Sequence, residues 1–347
     1  MRANDKRLSY MGRIDHSEDG AHFYWASSQV TAVFNGTWAD ITVMNKTAWG
    51  NISLGYLIDG RMGRLPLSPQ NDGEFKTYRI ADGLEPDRTH TLTVYKRMSA
   101  NHTFTLSEIN TDGEFLPCEP EYDLKLEFYG DSVSAGEVTE ADAFAGRSDP
   151  CNHDSIYDNS YFAYTWQCAR LLNASFHNIA QGGIAVFDDT GYFHWPKMIG
   201  MESVYDKVCY FPEGGELTQW DFSKYTPDCA VFALGQNDQH NGITDANDID
   251  IYDPAVRRHW KDGYKKLISD VAAHYGRVKI VMITTVLMHD AEWDRAIDEI
   301  VNEMKSEGYD IHHFLFSGNG SVTPGHPRRA EHAVMARELA GFIQSIL

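Results

Sequence analysis

The sequence predicts an α/β protein in two parts, an all-β sandwich followed by a parallel sheet with helices on its faces. Three observations carry that prediction. Up to about residue 118, apolar and polar residues alternate in short runs with no helical period; beyond it, strand-like and helix-like runs take turns; and between them stands Leu116-Pro117-Cys118-Glu119-Pro120, whose prolines interrupt either pattern. A chain of 347 residues is long for one core and comfortable for two. The domains expected are therefore 1–118, the β-sandwich, and 119–347, the α/β domain.

In the first part, His22-Phe23-Tyr24-Trp25, Val30-Thr31-Ala32-Val33-Phe34, Asp40-Ile41-Thr42-Val43 and His90-Thr91-Leu92-Thr93-Val94-Tyr95 are the strand candidates. They are rich in β-branched and aromatic residues, and Gly and Asn turns separate them. In the second part, strands are expected over 124–129, 178–180, 229–234, 278–286 and 311–316, and helices over 161–172, 254–275, 291–306 and 330–346. Such alternation implies parallel strands joined by crossover helices.

Four segments of the second part carry chemistry. Gly130-Asp131-Ser132 follows the first apolar strand; Asn178-Ile179-Ala180-Gln181-Gly182-Gly183 runs a second strand into paired glycines; Gly235-Gln236-Asn237-Asp238 follows Cys229 to Leu234; and Gly325-His326-Pro327 precedes the terminal helix. All lie at carboxyl ends of strands or in the loops after them, where open α/β sheets bind ligands. Acyl transfer needs a nucleophile, a base for its proton and donors arranged around an oxyanion. A serine lifted on a tight strand-to-helix turn, a histidine, glycine amides and an asparagine amide supply all three.

Bulk properties narrow the partners. A net charge of −20, with no cluster of Lys and Arg, argues against nucleic acid and anionic membrane surfaces. No apolar stretch approaches the ~18 to 20 residues of a membrane span, and no apolar run follows the basic N-terminus, so the chain as given reads as cytoplasmic. Cys118, Cys151, Cys168, Cys209 and Cys229 form an odd set without a C-x-x-C pair, which favours a reducing compartment. The N-x-S/T sequons at Asn35, Asn45, Asn51, Asn101, Asn173 and Asn319 then read as chance. No metal and no cofactor are expected, since His312-His313 and the scattered cysteines lack zinc-site spacing.

The order Gly-Asp-Ser, Gly, Gly-x-Asn-Asp, His-Pro resembles the SGNH hydrolases. Gly12-Arg13-Ile14-Asp15, Phe23 to Ser28, Phe34-Asn35-Gly36-Thr37, Leu57-Ile58-Asp59-Gly60 and His90 to Arg97 resemble the jelly-roll domain of carbohydrate esterase family two. The resemblance covers nearly the whole chain. It implies a jelly roll ahead of a flavodoxin-like hydrolase domain, and an esterase that removes O-acetyl groups from plant cell-wall oligosaccharides of mannan, glucomannan or xylan type. Carried over by motif, Ser132 is the nucleophile and His326 the base, with oxyanion donors from the Ser132 and Gly183 amides and the Asn237 side chain. Gly182 is the alternative to Gly183. Many SGNH enzymes place an Asp three residues before the histidine; here that residue is Thr323. The departure implies a Ser-His dyad whose ring is held by a main-chain oxygen, with no carboxylate partner.

Other residues have plainer readings. His332 reads as a structural histidine near the site, His240 as the alternative base, and Trp260 as packing. Asp131 and Asp238 suggest a glycosidase pair but equally cap helices or bind turn amides. Tyr192, His194 and Trp195, after the paired glycines, are candidates to face a sugar ring or else to cover the core. Two other functions stay open: a non-catalytic carbohydrate-binding protein, and a lipase or thioesterase on the same scaffold.

Overall fold

The computed structural model describes residues 1–238, 249–284, 286–287, 291–318 and 324–347. The chain divides into two compact units, one of Met1–Glu121 with Asp154–Ile156 and Val208–Gln219, the other of Tyr122–His153, Tyr157–Lys207 and Trp220–Leu347.

The first unit is built from β1 (Ser9–Met11), β2 (Ile14–His16), β3 (Ala21–Phe23), β4 (Gln29–Phe34), β5 (Ala39–Thr47), β6 (Ser53–Ile58), β7 (Arg61–Pro66), β8 (Phe75–Ala81), β9 (His90–Lys96), β10 (His102–Asn110) and β11 (Phe115–Leu116). They form two antiparallel sheets, ordered β1-β4-β9-β6-β7 with β11 also on β4, and β2-β3-β10-β5-β8. Alternation along the strands turns one set of side chains from each sheet into a single core: Val30, Ala32, Phe34, Leu92 and Val94 from one, Phe23, Ile41, Val43, Phe104 and Leu106 from the other. Phe23 and Phe104 stack with centroids 4.3 Å apart. This is the sandwich that the period-two runs predict.

The second unit holds β12 (Leu124–Gly130), α1 (Ser132–Ala135), α2 (Tyr164–Leu171), β13 (Ala174–Ala180), α3 (Met201–Val204), β14 (Cys229–Ala233), α4 (Pro254–Tyr275), β15 (Lys279–Ile283), α5 (Ala291–Ser306), β16 (Ile311–Phe314) and α6 (Arg329–Ile346). Its sheet is parallel throughout, in the order β13-β12-β14-β15-β16. β14 and nearly all of β15 are buried on both faces and read as apolar runs without alternation, while β12 is buried from Leu126 to Gly130. α2 packs with α6, and α4 with α5.

The chain leaves β12 for β13 on one side and returns to β14 on the other, which makes the carboxyl end of β12 the switch point where such sheets bind ligands. Register sharpens this. Gly130 pairs with Ala180 on one side and with Ala233 on the other, so three strands end level and release three loops at one place. The helix expected over 161–172 is shorter: Asn159 caps a 3-10 turn at Ser160–Phe162, and α2 begins only at Tyr164.

Candidate active site

Ser132 opens α1, directly after the strand. Asp131 adopts the extended N-cap conformation, and its Oδ1 accepts the Val133 N–H at 3.0 Å, which starts the helix at the serine. Gly136, at φ 83°, ends it one turn later in a left-handed conformation that glycine adopts without a Cβ penalty. Gly130 has no room for a side chain, since a Cβ there would lie 2.2 Å from Ser134 Oγ. The result is a serine held on a four-residue helix at the end of the central strand.

His326 Nε2 lies 2.8 Å from Ser132 Oγ. The other ring nitrogen, Nδ1, lies 2.6 Å from Asp149 Oδ2, and the His326 backbone N–H donates to Asp149 Oδ1 at 3.0 Å. Burial of Asp149 favours its neutral form, but hydrogen bonds and charge from His326 and Arg328 outweigh that and hold the carboxyl well below the usual carboxylate range. As an acceptor only, this carboxylate places the proton on Nδ1 and leaves the Nε2 lone pair toward the serine hydroxyl. For His326, burial works against the imidazolium, while the Asp149 hydrogen bond and charge, with Glu137 and Asp131 farther off, raise the pKa above its ordinary value.

This geometry corrects one expectation. A carboxylate does orient His326, where the sequence implied a dyad held by a main-chain oxygen. Thr323 lies outside the described residues, and the acid comes from elsewhere, on the loop between α1 and α2. Close approach of that loop depends on Gly325: a Cβ there would meet Asp149 Oδ1 at 2.6 Å, Asp149 N at 2.8 Å and Arg147 O at 2.9 Å. Asp149 and His326 are 177 positions apart, and no linear spacing joins them. The one local hint is a glycine next to the histidine, whose steric meaning appears only once the loop lies against it.

The second loop begins at Gln181. Gly183 has φ 76°, and its carbonyl accepts the N–H groups of Tyr192 at 2.8 Å and Phe193 at 3.1 Å, so the loop folds back on its own start. Glu137 packs against Gly182, where a Cβ would lie 1.7 Å from its Oε1. The third loop carries Asn237, whose Nδ2 donates to Ile184 O at 2.9 Å. An amide nitrogen has two hydrogens, and this bond uses one. Asp238 ties the same two loops together: it accepts from Val186 N at 3.0 Å and 3.2 Å and from Trp260 Nε1 at 3.0 Å. Burial pushes its pKa up to about 7, against those bonds. Asp131 is likewise pushed up to about 7 by burial. Both aspartates thus have the structural roles of cap and turn anchor.

Trp260 is buried beside Trp293, as expected of a packing residue. His332 is buried too, and its Nδ1 accepts the Tyr164 backbone N–H at 3.1 Å. Burial first, then the charges of His326 and Arg328, lowers its pKa to about 3, which keeps it neutral. Tyr192 and His194 are partly buried, and Trp195 is 57% exposed on the loop that returns to Gly183. His240 lies outside the described residues. His312 and His313 face Asp310 at 2.9 Å and Asp298 at 3.7 Å, and no metal-holding group of three or more His, Cys, Asp or Glu occurs among the described residues.

The family model described as Carbohydrate esterase 2 N-terminal matches residues 10–120. Over 98% of its length the chain is 28% identical to the cellulase/esterase CelE of Acetivibrio thermocellus, of which it spans only 39%. Over 99% of its length it is 21% identical to the acetylxylan esterase / glucomannan deacetylase of Cellvibrio japonicus, of which it spans 90%. A family two carbohydrate esterase from Clostridium thermocellum, solved in complex with cellohexaose, superposes with a TM-score of 0.80 at 25% identity, covering 97% of this chain and 98% of that one. An N-terminal match, whole-chain likeness in sequence and whole-chain likeness in structure agree: along its whole length the chain is similar to the family two carbohydrate esterases.

Proposed function

We propose that this chain hydrolyses O-acetyl esters of plant cell-wall oligosaccharides through an acetyl-Ser132 intermediate, with His326 as base and Asp149 as the group that orients it. The observation that carries this reading is the unbroken chain from Ser132 Oγ to His326 Nε2 at 2.8 Å and from Nδ1 to Asp149 Oδ2 at 2.6 Å.

In the first half of the reaction Ser132 Oγ bonds to the acetyl carbonyl carbon as its proton passes to Nε2. The oxyanion is received by the Ser132 and Gly183 amides and by the second Asn237 Nδ2 hydrogen. Collapse breaks the bond to the sugar oxygen, which leaves with the Nε2 proton. Water then repeats the sequence: it gives a proton to Nε2, bonds to the acetyl carbon, and releases acetate as Oγ regains the proton. Throughout, Asp149 stays ionised and stabilises the transient imidazolium.

The acetylated mannan, glucomannan or xylan substrate is supported by the relative named acetylxylan esterase / glucomannan deacetylase and by the cellohexaose complex of the solved neighbour. Trp195, exposed and tethered next to the glycine loop, is the residue assigned to face a pyranose ring, with Tyr192 and His194 beside it. The test is mass spectrometry of acetylated manno- and xylo-oligosaccharides after incubation, with NMR to locate the lost acetyl groups. Acetate release that disappears in Ser132→Ala supports the reading. No release from any of them, alongside hydrolysis of long-chain acyl esters, would replace it with a lipase.

A further inference from the structure

The site contains a fixed positive charge that the reaction as written does not use. Arg328 is 1% exposed, and its guanidinium is committed to the catalytic loops: Nη2 bonds Asp149 Oδ1 at 2.9 Å and Phe144 O at 3.5 Å, and Nη1 donates to the carbonyl oxygen of His326. One side chain thereby grips both the carboxylate that orients the base and the backbone of the base.

The surroundings make that grip rigid. The Arg328 backbone N–H donates to Glu331 Oε2 at 2.7 Å, which fixes the start of α6. The next residue ties α6 to the loop that carries Asp149: Arg329 N–H donates to Thr139 O at 3.1 Å, and the Arg329 guanidinium forks onto the Asp142 carboxylate. The 139–149 segment and the α6 N-terminus are therefore joined at Thr139, Asp142, Phe144 and Asp149.

We propose that Arg328 is a positioning residue for the esterase reaction, which locks Asp149 against His326 and limits how strongly that carboxylate holds a proton on the imidazole. The second part follows from charge. Asp149 shares its one negative charge between Arg328, which is always cationic, and His326, which is cationic only while it carries the transferred proton. With Arg328 present, the imidazolium shares its counter-ion and faces a like charge. Without it, Asp149 would hold the proton more firmly but in a looser geometry, and proton return to the leaving group would suffer. The inference rests on the Ser132-His326-Asp149 reading.

The test measures kcat and kcat/KM for acetate release from 4-nitrophenyl acetate against pH in a pH-stat, for wild type, Arg328→Met, Arg328→Lys, Asp149→Asn and the double variant Asp149→Asn/Arg328→Met. Arg328→Met is expected to lower kcat and to move the acid limb of the profile up by roughly 1 pH unit, because a positive charge is removed beside the imidazolium. Arg328→Lys keeps the charge and loses the fork, so kcat falls while the limb stays. Since Arg328 acts through Asp149, the double variant is expected to be no slower than Asp149→Asn alone. It also removes both members of the Arg328–Asp149 ion pair, so it leaves no uncompensated charge at the site if the single arginine variant does not fold. An unmoved limb in a folded Arg328→Met, or losses that multiply in the double variant, would overturn the proposal. Failure of the triad reading looks different, because Ser132→Ala would then keep turnover.

Discussion

At the level of single residues, the site is a division of labour among side chains with different neighbours. In the proposed reaction Ser132 and His326 do the chemistry and Asp149 sets the tautomer, while Asn237 uses one amide hydrogen on Ile184 O and keeps the other for the oxyanion. Asn237→Ala is expected to lower kcat by roughly 10²- to 10³-fold with little change in unfolding temperature, the usual effect of losing one oxyanion donor. The pH profile tests the electrostatics. The proposed catalysis needs neutral His326, whose pKa is raised above the ordinary histidine value, so activity should rise with pH through a midpoint above that of an ordinary histidine. Asp149→Asn removes the largest opposition to burial of the ring, so the midpoint should fall below that of wild type while kcat drops roughly 10²- to 10⁴-fold. A midpoint that stays put in Asp149→Asn would show that this carboxylate does not control the base.

Among the elements, strand register and two loop approaches build the site. Gly130, Ala180 and Ala233 end level, so Ser132, Gly183 and Asn237 leave the sheet together, and Asp238 then pins the second loop to the third. Gly325 and His326 meet the Asp149 loop. Gly325→Ala should therefore act at a distance: its Cβ would meet backbone atoms at 2.8 Å and 2.9 Å, which cannot swing aside as a side-chain end would. The expected result is a kcat loss approaching that of Asp149→Asn, with the acid limb moved to lower pH. A Gly325→Ala enzyme with wild-type kcat and pH profile would mean the two loops yield without cost.

Over the whole molecule, charge is the dominant feature. A net charge of −20 repels itself, while the ladder on α4 and α5 of Arg257, Lys261 and Lys265 with Glu292, Glu299, Glu303 and Glu307 consists of partly exposed pairs. Such pairs contribute roughly 0.2 to 1 kcal/mol each and are screened by salt as the repulsion is. Acidic residues outnumber basic ones by 50 to 30, so screening relieves more repulsion than it weakens attraction, and Tm should rise between about 10 mM and 150 mM NaCl, where the Debye length falls from ~30 Å to ~8 Å. Calorimetry showing Tm falling with salt would mean that the ion pairs outweigh the repulsion.

Features under local chemical control are legible in the residue order. Period-two runs such as 30–34 became strands because a half-buried surface demands alternation, and the apolar run 229–234 became a central strand because both its faces are covered. Gly130-Asp131-Ser132 announced its turn because each residue answers a backbone requirement within one helical turn. What orients His326 could not be read this way. Asp149 lies in a loop with no periodicity, and nothing near it in the chain distinguishes it from Asp142 or Asp154. Its role exists only because Gly325 lets two loops touch and Arg328 holds them there, contacts between residues more than 170 positions apart. Tertiary structure alone decides such a partner, because a hydrogen bond depends on where two loops come to rest, while sequence spacing governs only the elements that carry them.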